Sequence, residues 1–507
     1  MSVSIGRVSA SLLIAVSLFL FTGCGGLSTQ TPIPTVTQPP VDLTQLSATE
    51  AAGFLSSGKI TSEALVMAYL AKIKTRGELN AFITVDEAGA LAAAKKADAD
   101  RAAGKAVGLL QGIPIVVKDN ILVRNIAGAG GTPALKTLVP TADAPVIDAL
   151  RKAGAIILAK TNMHELAFGI SGYNEAFPNP ATGSIGVRNP YDTTRFAGGS
   201  SSGNGAAIAA RLVGAGIGTD TGGSSRIPAG VCGIAGFRPT VGRYSRAGIV
   251  PLSHTRDTAG PMGQTVADVA LLDAAITRDV PVTAADLKGV RIGVVRDYFF
   301  QNMGADTTTV MNNTLAKLTA AGAAIVETYM PNIKTLDDAC GFPIVIKEAY
   351  GDTVAFLAKY KPDVTIDQVA ANIASADVKG AFGAVMGHAT DAAYPSAMLT
   401  SRPALQKLYE DTFATYALDV IIFPTTPVTA ITQGPDASSG ANFNLFIQNT
   451  DPGSVAGIPG LSIPAGLGPT SGMPVGVEID GPVSSDRRVL SIGLAIEKVL
   501  GRTPAPK

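Results

Sequence analysis

At 507 residues, 46% hydrophobic and only 16% charged, the chain is long enough to bury a large core, as one big domain or several smaller ones. Lys plus Arg and Asp plus Glu balance at 40 each, and no basic stripe or charge run breaks that balance, so nothing advertises nucleic acid or an acidic surface as a partner. Trp is absent, and the abundance of Gly and Ala points to close-packed helices and many turns.

Residues 1–23 read as an export signal. Arg7 precedes an apolar run, Leu12 to Phe21, too short to span a bilayer comfortably, and Thr22-Gly23-Cys24 follows. This ending is similar to a bacterial lipoprotein signal, in which Cys24 is lipidated and becomes the new N-terminus. Phe21 departs from it, since a small aliphatic is commoner there; an ordinary cleaved signal and an uncleaved anchor are the other readings. Residues 24–42, rich in Thr, Pro, Ser and Gln, cannot build a core and read as an extended tether. The expectation is an exported protein of the bacterial cell envelope, touching membrane only through that lipid. Cys232 and Cys340 could pair there or stay as buried thiols; sequence does not bring them together.

The folded part, 43–507, opens with local signals. Ser47-Ala48-Thr49-Glu50 is a capping box for a helix closed by Gly58. Thr61 caps the next helix, with Ile60 and Leu65 placed as a staple and Leu65, Tyr69 and Ile73 on one face. An Ala-rich helix covers Glu87 to Ala103. In Gly112-Ile113-Pro114-Ile115-Val116-Val117-Lys118-Asp119-Asn120 the β-branched density predicts a buried strand. Lys118 at its end either faces water or is buried among neutral hydroxyls, where desolvation favours the free amine, a usable base. Ala142 to Ala153 reads as a helix, Ile156 to Leu158 as a strand, and Asn162 onward as a helix or turn. His164-Glu165 invites a metal reading, but no second histidine stands at zincin spacing. His164, His254 and His388 are read as structural, and no metal or cofactor is expected.

Two glycine- and serine-rich stretches follow. Ala197-Gly198-Gly199-Ser200-Ser201-Ser202-Gly203 precedes a small-residue helix, Asn204 to Arg211. It is either a flexible linker or a helix N-terminus that holds a hydroxyl near free N–H groups. In Gly216 to Arg226, an apolar strand runs into Asp220-Thr221-Gly222-Gly223-Ser224. Two glycines before a serine bend the backbone sharply, and such a turn can supply a nucleophile and an oxyanion hole; it could equally be a plain tight turn.

Taken in order, Lys118 in GIPIVVKDN, then GGSSSG, then GTDTGGSSRIPAGVCGIAGFRPT resemble the amidase signature family of serine hydrolases. Ser200 and Ser224 stand 24 residues apart, as in that family (224 − 200). The resemblance runs from about Leu43 to Gly501, most continuously from Gly112 to Asp268. It implies Ser224 as nucleophile, Ser200 as a bridging serine after a cis Gly199–Ser200 bond, and Lys118 as the base. It also implies the N–H groups of Thr221, Gly222, Gly223 and Ser224 as the oxyanion hole, with Asp220, Ser201 and Arg226 as supports. Ser202 stands where a glycine is commoner and Ser225 where an aliphatic is usual; the second predicts a change in pocket polarity. The loop Gly248 to Pro261 looks closest to the mandelamide and indoleacetamide hydrolase branch. That implies small aryl or alkyl carboxamides as substrates, releasing ammonia. Anilides, esters and carbamates are the alternatives, as are a tRNA-dependent amidotransferase subunit and a surface lipoprotein that keeps the fold without chemistry.

The remaining pattern alternates strands (Leu287 to Val295, Ala324 to Glu327, Asp419 to Phe423, Met473 to Ile479) with helices such as Thr307 to Ala321. This predicts one α/β domain with a sheet covered on both faces. The resemblance implies a layered α/β/α sandwich around a large mixed β-sheet. Residues 333–403 are expected as helices over the site, with pocket-shaping residues there, near Phe168 to Phe177 and near Asn442 to Asp451. Oligomeric state is not legible.

Overall fold

The computed structural model describes residues 42–105 and 108–507; the export signal, Cys24 and all of the tether but Asp42 lie outside them. Asp42 already belongs to the folded unit, because its carboxylate accepts from Thr44 N at 3.0 Å and caps the first helical turn.

The opening local signals do what their chemistry predicts. Ser47 and Glu50 satisfy each other's backbone N–H groups in a reciprocal capping box on the helix Ala48–Ser56. Thr61 accepts from Ala64 N and starts the helix Ser62–Thr75. Asp86 starts the helix Glu87–Ala102 in the same way, accepting from Gly89 N at 3.0 Å.

Thirteen strands are described: β1 (Phe82–Val85), β2 (Pro114–Lys118), β3 (Ile156–Thr161), β4 (Arg188–Asn189), β5 (Asp192–Phe196), β6 (Ala215–Asp220), β7 (Ala235–Arg238), β8 (Thr258–Gly263), β9 (Arg291–Val294), β10 (Ala324–Glu327), β11 (Val420–Pro424), β12 (Gly460–Leu467) and β13 (Pro474–Asp480). β4 and β5 form a separate hairpin. The other eleven make one mixed sheet in the order β1-β3-β2-β6-β8-β7-β12-β13-β11-β9-β10. β2 runs parallel to β3 and β6, and β9 parallel to β10 and β11. Antiparallel pairings from β6 through β8, β7, β12 and β13 to β11 join these two parallel blocks. Every residue of β2, β3 and β6 is buried, as expected of central strands covered on both faces.

Tertiary contacts override a local signal in β8. β8 carries Pro261 in the sheet interior, where proline is normally excluded because it cannot donate to the ladder. It fits because the ladder between β7 and β8 covers only Met262 and Gly263 and stops before Pro261, while β7 itself continues in its pairing with β12. After Asn162, read as a helix or turn, the chain makes the short 3-10 turn Glu165–Ala167. Glu165 is buried and accepts from Thr132 Oγ1 at 2.7 Å and Ser375 N at 2.8 Å, which holds the segment in place.

Residues 333–403 are helical as expected. The long helix Ile333–Tyr360 contains Pro343, and the helices Ile366–Asn372 and Ala376–Met386 pack against it in an apolar cluster with Leu122, Leu166 and Val250. Among the described residues no helix is long and apolar enough to cross a membrane.

Candidate active site

The site grows from two neighbouring parallel strands. β2 and β6 pair through Val117 and Ile217, so Lys118, the last residue of β2, meets Thr219 near the end of β6. The helix Ser202–Ala209 brings the serine-rich stretch to the same point. Ser201 N donates to Ser224 O at 3.2 Å, and Thr219 N donates to Ser201 Oγ at 3.3 Å. His164 N donates to Ser200 O at 3.1 Å, and the Gly199–Ser200 peptide bond is cis. Residues more than 80 positions apart in sequence, Lys118 and Ser200 among them, therefore meet.

Lys118 is fully buried, and its neighbours are hydroxyls. Nζ lies 2.7 Å from Ser200 Oγ and 2.7 Å from Thr219 Oγ1, which also accepts from Asn120 Nδ2 at 3.1 Å. The other buried lysine among the described residues, Lys160, has Asp119 at 3.6 Å. Lys118 has no carboxylate in ion-pair contact among the described residues, and burial pushes its ammonium down to about 7, against the opposing pull of Asp220 and Asp257. A neutral amine here can donate to Thr219 and accept the Ser200 proton.

The glycine turn is clamped by one carboxylate. Asp220 accepts from Gly223 N at 2.9 Å, Ser225 N at 3.1 Å, Arg226 Nε at 3.1 Å and Arg238 Nη1 at 3.1 Å. Burial raises its carboxyl, but the charges of Arg226 and Arg238 outweigh that and hold it well below the usual carboxylate range. Arg226 reaches on to Glu478, Thr450 O and Ser454 Oγ. Gly223 has φ +135°, and a Cβ there would collide with Thr450 Oγ1, which donates to Gly222 O at 2.6 Å. Thr221 Oγ1 donates to Asp257 at 2.6 Å, and Arg256 Nε donates to Thr221 O at 3.2 Å. Of the four N–H groups expected as an oxyanion hole, that of Gly223 is thus taken by Asp220. Those of Thr221, Gly222 and Ser224 donate to no protein group among the described residues.

Ser224 lies on the wall of a cavity of about 1250 Å³, together with Thr221 and Gly222. Among the described residues its hydroxyl makes no hydrogen bond, to Ser200 or any other group. Apolar walls come from Phe168, Ile170, Ile227, Leu252, Val345 and Ile447. Phe168, Ile170, Val345 and Ile447 lie in the segments expected to shape the pocket, and Ile227 and Leu252 lie outside them. Ser225 does not line the cavity: it is buried with its Oγ turned to Gly260 of β8, so the expected change in pocket polarity does not occur there. Ser202 is likewise buried, its Oγ beside Gly172.

The histidines are held by the protein. His164 is buried, with Nδ1 accepting from Gly172 N at 3.2 Å and Nε2 2.9 Å from Asp377. His254, Glu348 and Asp352 bring three ligand-type atoms together. However, Glu348 Oε2 already accepts from Ser253 and Thr255, and Asp352 accepts from His254 N, so internal donors account for the cluster. Cys232 and Cys340 are both buried and free. Thr219, Arg256, Asp257 and Arg238 escaped the sequence reading as site residues. Thr219 stood inside the quoted motif, one residue before Asp220, and its alternation with Ile217 along β6 is the signal that could have found it.

Lys118 and Ser200 thus meet behind the glycine turn that carries Ser224 onto the cavity wall, beside an eleven-stranded mixed sheet. The chain belongs to the amidase family, which it matches across residues 64–490. It is 45% identical over 478 residues to mandelamide hydrolase of Pseudomonas putida, covering 92% of this chain and 94% of the relative. It is 41% identical over 445 residues to indoleacetamide hydrolase of Agrobacterium vitis, covering 86% and 93%. The solved peptide amidase of Stenotrophomonas maltophilia superposes with a TM-score of 0.76 at 27% identity, over 91% of this chain and 98% of that one. The chain is therefore an amide-hydrolysing enzyme near the mandelamide and indoleacetamide hydrolases.

Proposed function

We propose that this enzyme hydrolyses small aryl or alkyl carboxamides to carboxylate and ammonia through an acyl-enzyme on Ser224. The observation that carries the reading is the buried Lys118 amine 2.7 Å from Ser200 Oγ, beside the glycine turn that presents Ser224. Neutral Lys118 draws the Ser200 proton as Ser200 takes that of Ser224, whose oxygen attacks the amide carbon. The tetrahedral oxygen is met by the unengaged N–H groups of the turn; losing one such donor typically costs roughly 2.7–4 kcal/mol. The relay returns the proton to the leaving nitrogen, and water then cleaves the ester by the reverse path. The apolar walls favour an aryl or alkyl acyl group.

Ammonia release by the full chain from a panel of primary amides tests the reading, and its pH dependence tests the base. The base form is the neutral amine, so kcat/KM should fall about tenfold per pH unit below about 7 and level off above it. A flat profile from acid to base, with chemistry shown to limit the rate, would remove Lys118 as the base. Turnover of anilides or esters alone would move the substrate class and leave the nucleophile in place.

A further inference from the structure

Behind the glycine turn, five charged side chains are shut away from water together. Asp220 of β6, Arg226, Arg238 of β7, and Glu478 and Asp480 of β13 are all fully buried. Arg226 lies between the carboxyl groups: its Nε and Nη2 donate to Asp220, and its Nη1 donates to Glu478 Oε1. Arg238 Nη1 donates to Asp220 as well. Asp220 and Arg226 serve as the clamp of the turn, which leaves Glu478 and Asp480 without a task.

Glu478 and Asp480 stand two residues apart on one strand, so their side chains leave the same face. Glu478 Oε2, Asp480 Oδ1 and Asp480 Oδ2 are buried and meet no donor among the described residues. Two glycines make room for them. A Cβ on Gly453 would collide with Asp480 Oδ2, and one on Gly460 would collide with Asp480 Oδ1 and sit 3.2 Å from Glu478 Oε1. The charges of the cluster do not balance. Three carboxylates against two guanidinium groups leave one surplus negative charge away from solvent, which is costly unless it is neutralised. One proton held between Glu478 and Asp480 removes the surplus and supplies the donor their oxygens lack. Burial pushes both carboxyls above the usual range; Asp220 adds to this at both, and Arg226 pulls the other way. The Tyr409 phenol, from the helix Arg402–Thr415, is the remaining titratable group facing the pair. β11 and β12 set only Ile421, Phe423, Gly460 and Ser462 opposite it. The helix Asp451–Ala456 brings Gly453, and its own Asp451 is paired with Arg256.

We propose that Glu478 and Asp480 are a proton-sharing pair that positions Arg226 and, through it, the clamp on the Ser224 turn. This rests on the reading of that turn as the one that presents the nucleophile. With the proton in place, Arg226 divides its donors between Asp220 and Glu478, and Asp220 stays on the N–H groups of Gly223 and Ser225. When the proton leaves, a second full negative charge on β13 draws Arg226 away from Asp220 and slackens the turn.

The test is a pH series on the full chain and its Asp480→Asn variant, which carries a donor that does not titrate. In kcat/KM for ammonia release from a primary amide, the parent's plateau should end in a second fall. That fall should begin at about pH 8–9, the range documented for buried carboxyls, and run at about tenfold per pH unit. In the variant the plateau should continue to about pH 10. Glu478→Gln also removes the shared proton and decides the matter should Asp480→Asn fail to fold. Urea unfolding gives a readout independent of turnover. Between about pH 5 and 8, the ratio of the parent's folding constant to the variant's should drop about tenfold per pH unit, because the parent takes up a proton on folding and the variant does not. Two acids that are merely packed in place and ionised would leave that ratio flat. A flat ratio, an unbroken plateau in the parent, or an alkaline fall that survives in the folded variants overturns this proposal and leaves the Ser224 reading standing. No ammonia from any primary amide removes the Ser224 reading, and the positioning role goes with it.

Discussion

Replacing Ser224 with alanine should abolish amide hydrolysis, lowering kcat on the order of a million-fold while the protein stays folded. The size follows from the role: without the hydroxyl no acyl-enzyme forms, and members of a nucleophile–base unit each remove nearly the whole effect when deleted alone. The stability half follows from the geometry. The Ser224 residue lines the cavity and its hydroxyl makes no hydrogen bond among the described residues, so its loss orphans no buried group there. Lys118→Met should cut kcat comparably, and the double variant should be no worse than the single ones. Ammonia release with purified variants, beside their urea unfolding midpoints, checks both halves. Activity above about 1% in a folded Ser224→Ala enzyme would mean that another group attacks the amide.

Asp220→Ala should destabilise the protein by about 3–5 kcal/mol, the usual cost of removing one partner from a buried ionic network. Asp220 is fully buried and is the shared acceptor for Arg226 and Arg238, both also buried. Its loss leaves two guanidinium groups with Glu478, Ser454 Oγ and backbone carbonyls as partners, and frees the Gly223 and Ser225 N–H groups. The turn that carries Ser224 would lose its clamp, so activity should fall with stability. The sign of the pH dependence is fixed. The Asp220 carboxyl lies below its unfolded value of about 3.9, so its contribution is present above that value and is lost as pH falls through the lower folded one. The gap between parent and variant unfolding midpoints should therefore be full at neutral pH and narrow in strong acid. An unchanged midpoint at pH 7 would show that the arginines find other partners.

What could be read from the residues alone was whatever acts within a few positions of itself. Ser47 with Glu50 and Thr61 with Ala64 N are capping contacts three residues apart, so they formed where they were expected. The β-branched run before Lys118 is a buried strand in any covered sheet. The ordered motifs around Lys118, Ser200 and Ser224 were long enough to carry the family, and with it the layered fold. Tertiary structure alone decided the environments. Whether Lys118 faced water or hydroxyls depended on β6 lying beside β2, which puts Thr219 and Ser200 against the amine. Whether Ser225 reached the pocket depended on Gly260 of β8 leaving room for its hydroxyl in the core. Pro261 could sit inside the sheet only because the pairing of β7 with β8 stops before it. The wall formed by Arg256, Asp337 and Asp451 comes from three segments spread over nearly 200 residues. No periodicity links such segments. A capping box or a strand pattern is set by backbone geometry next to it in the chain, whereas a buried charge acquires its neighbours only when distant elements pack.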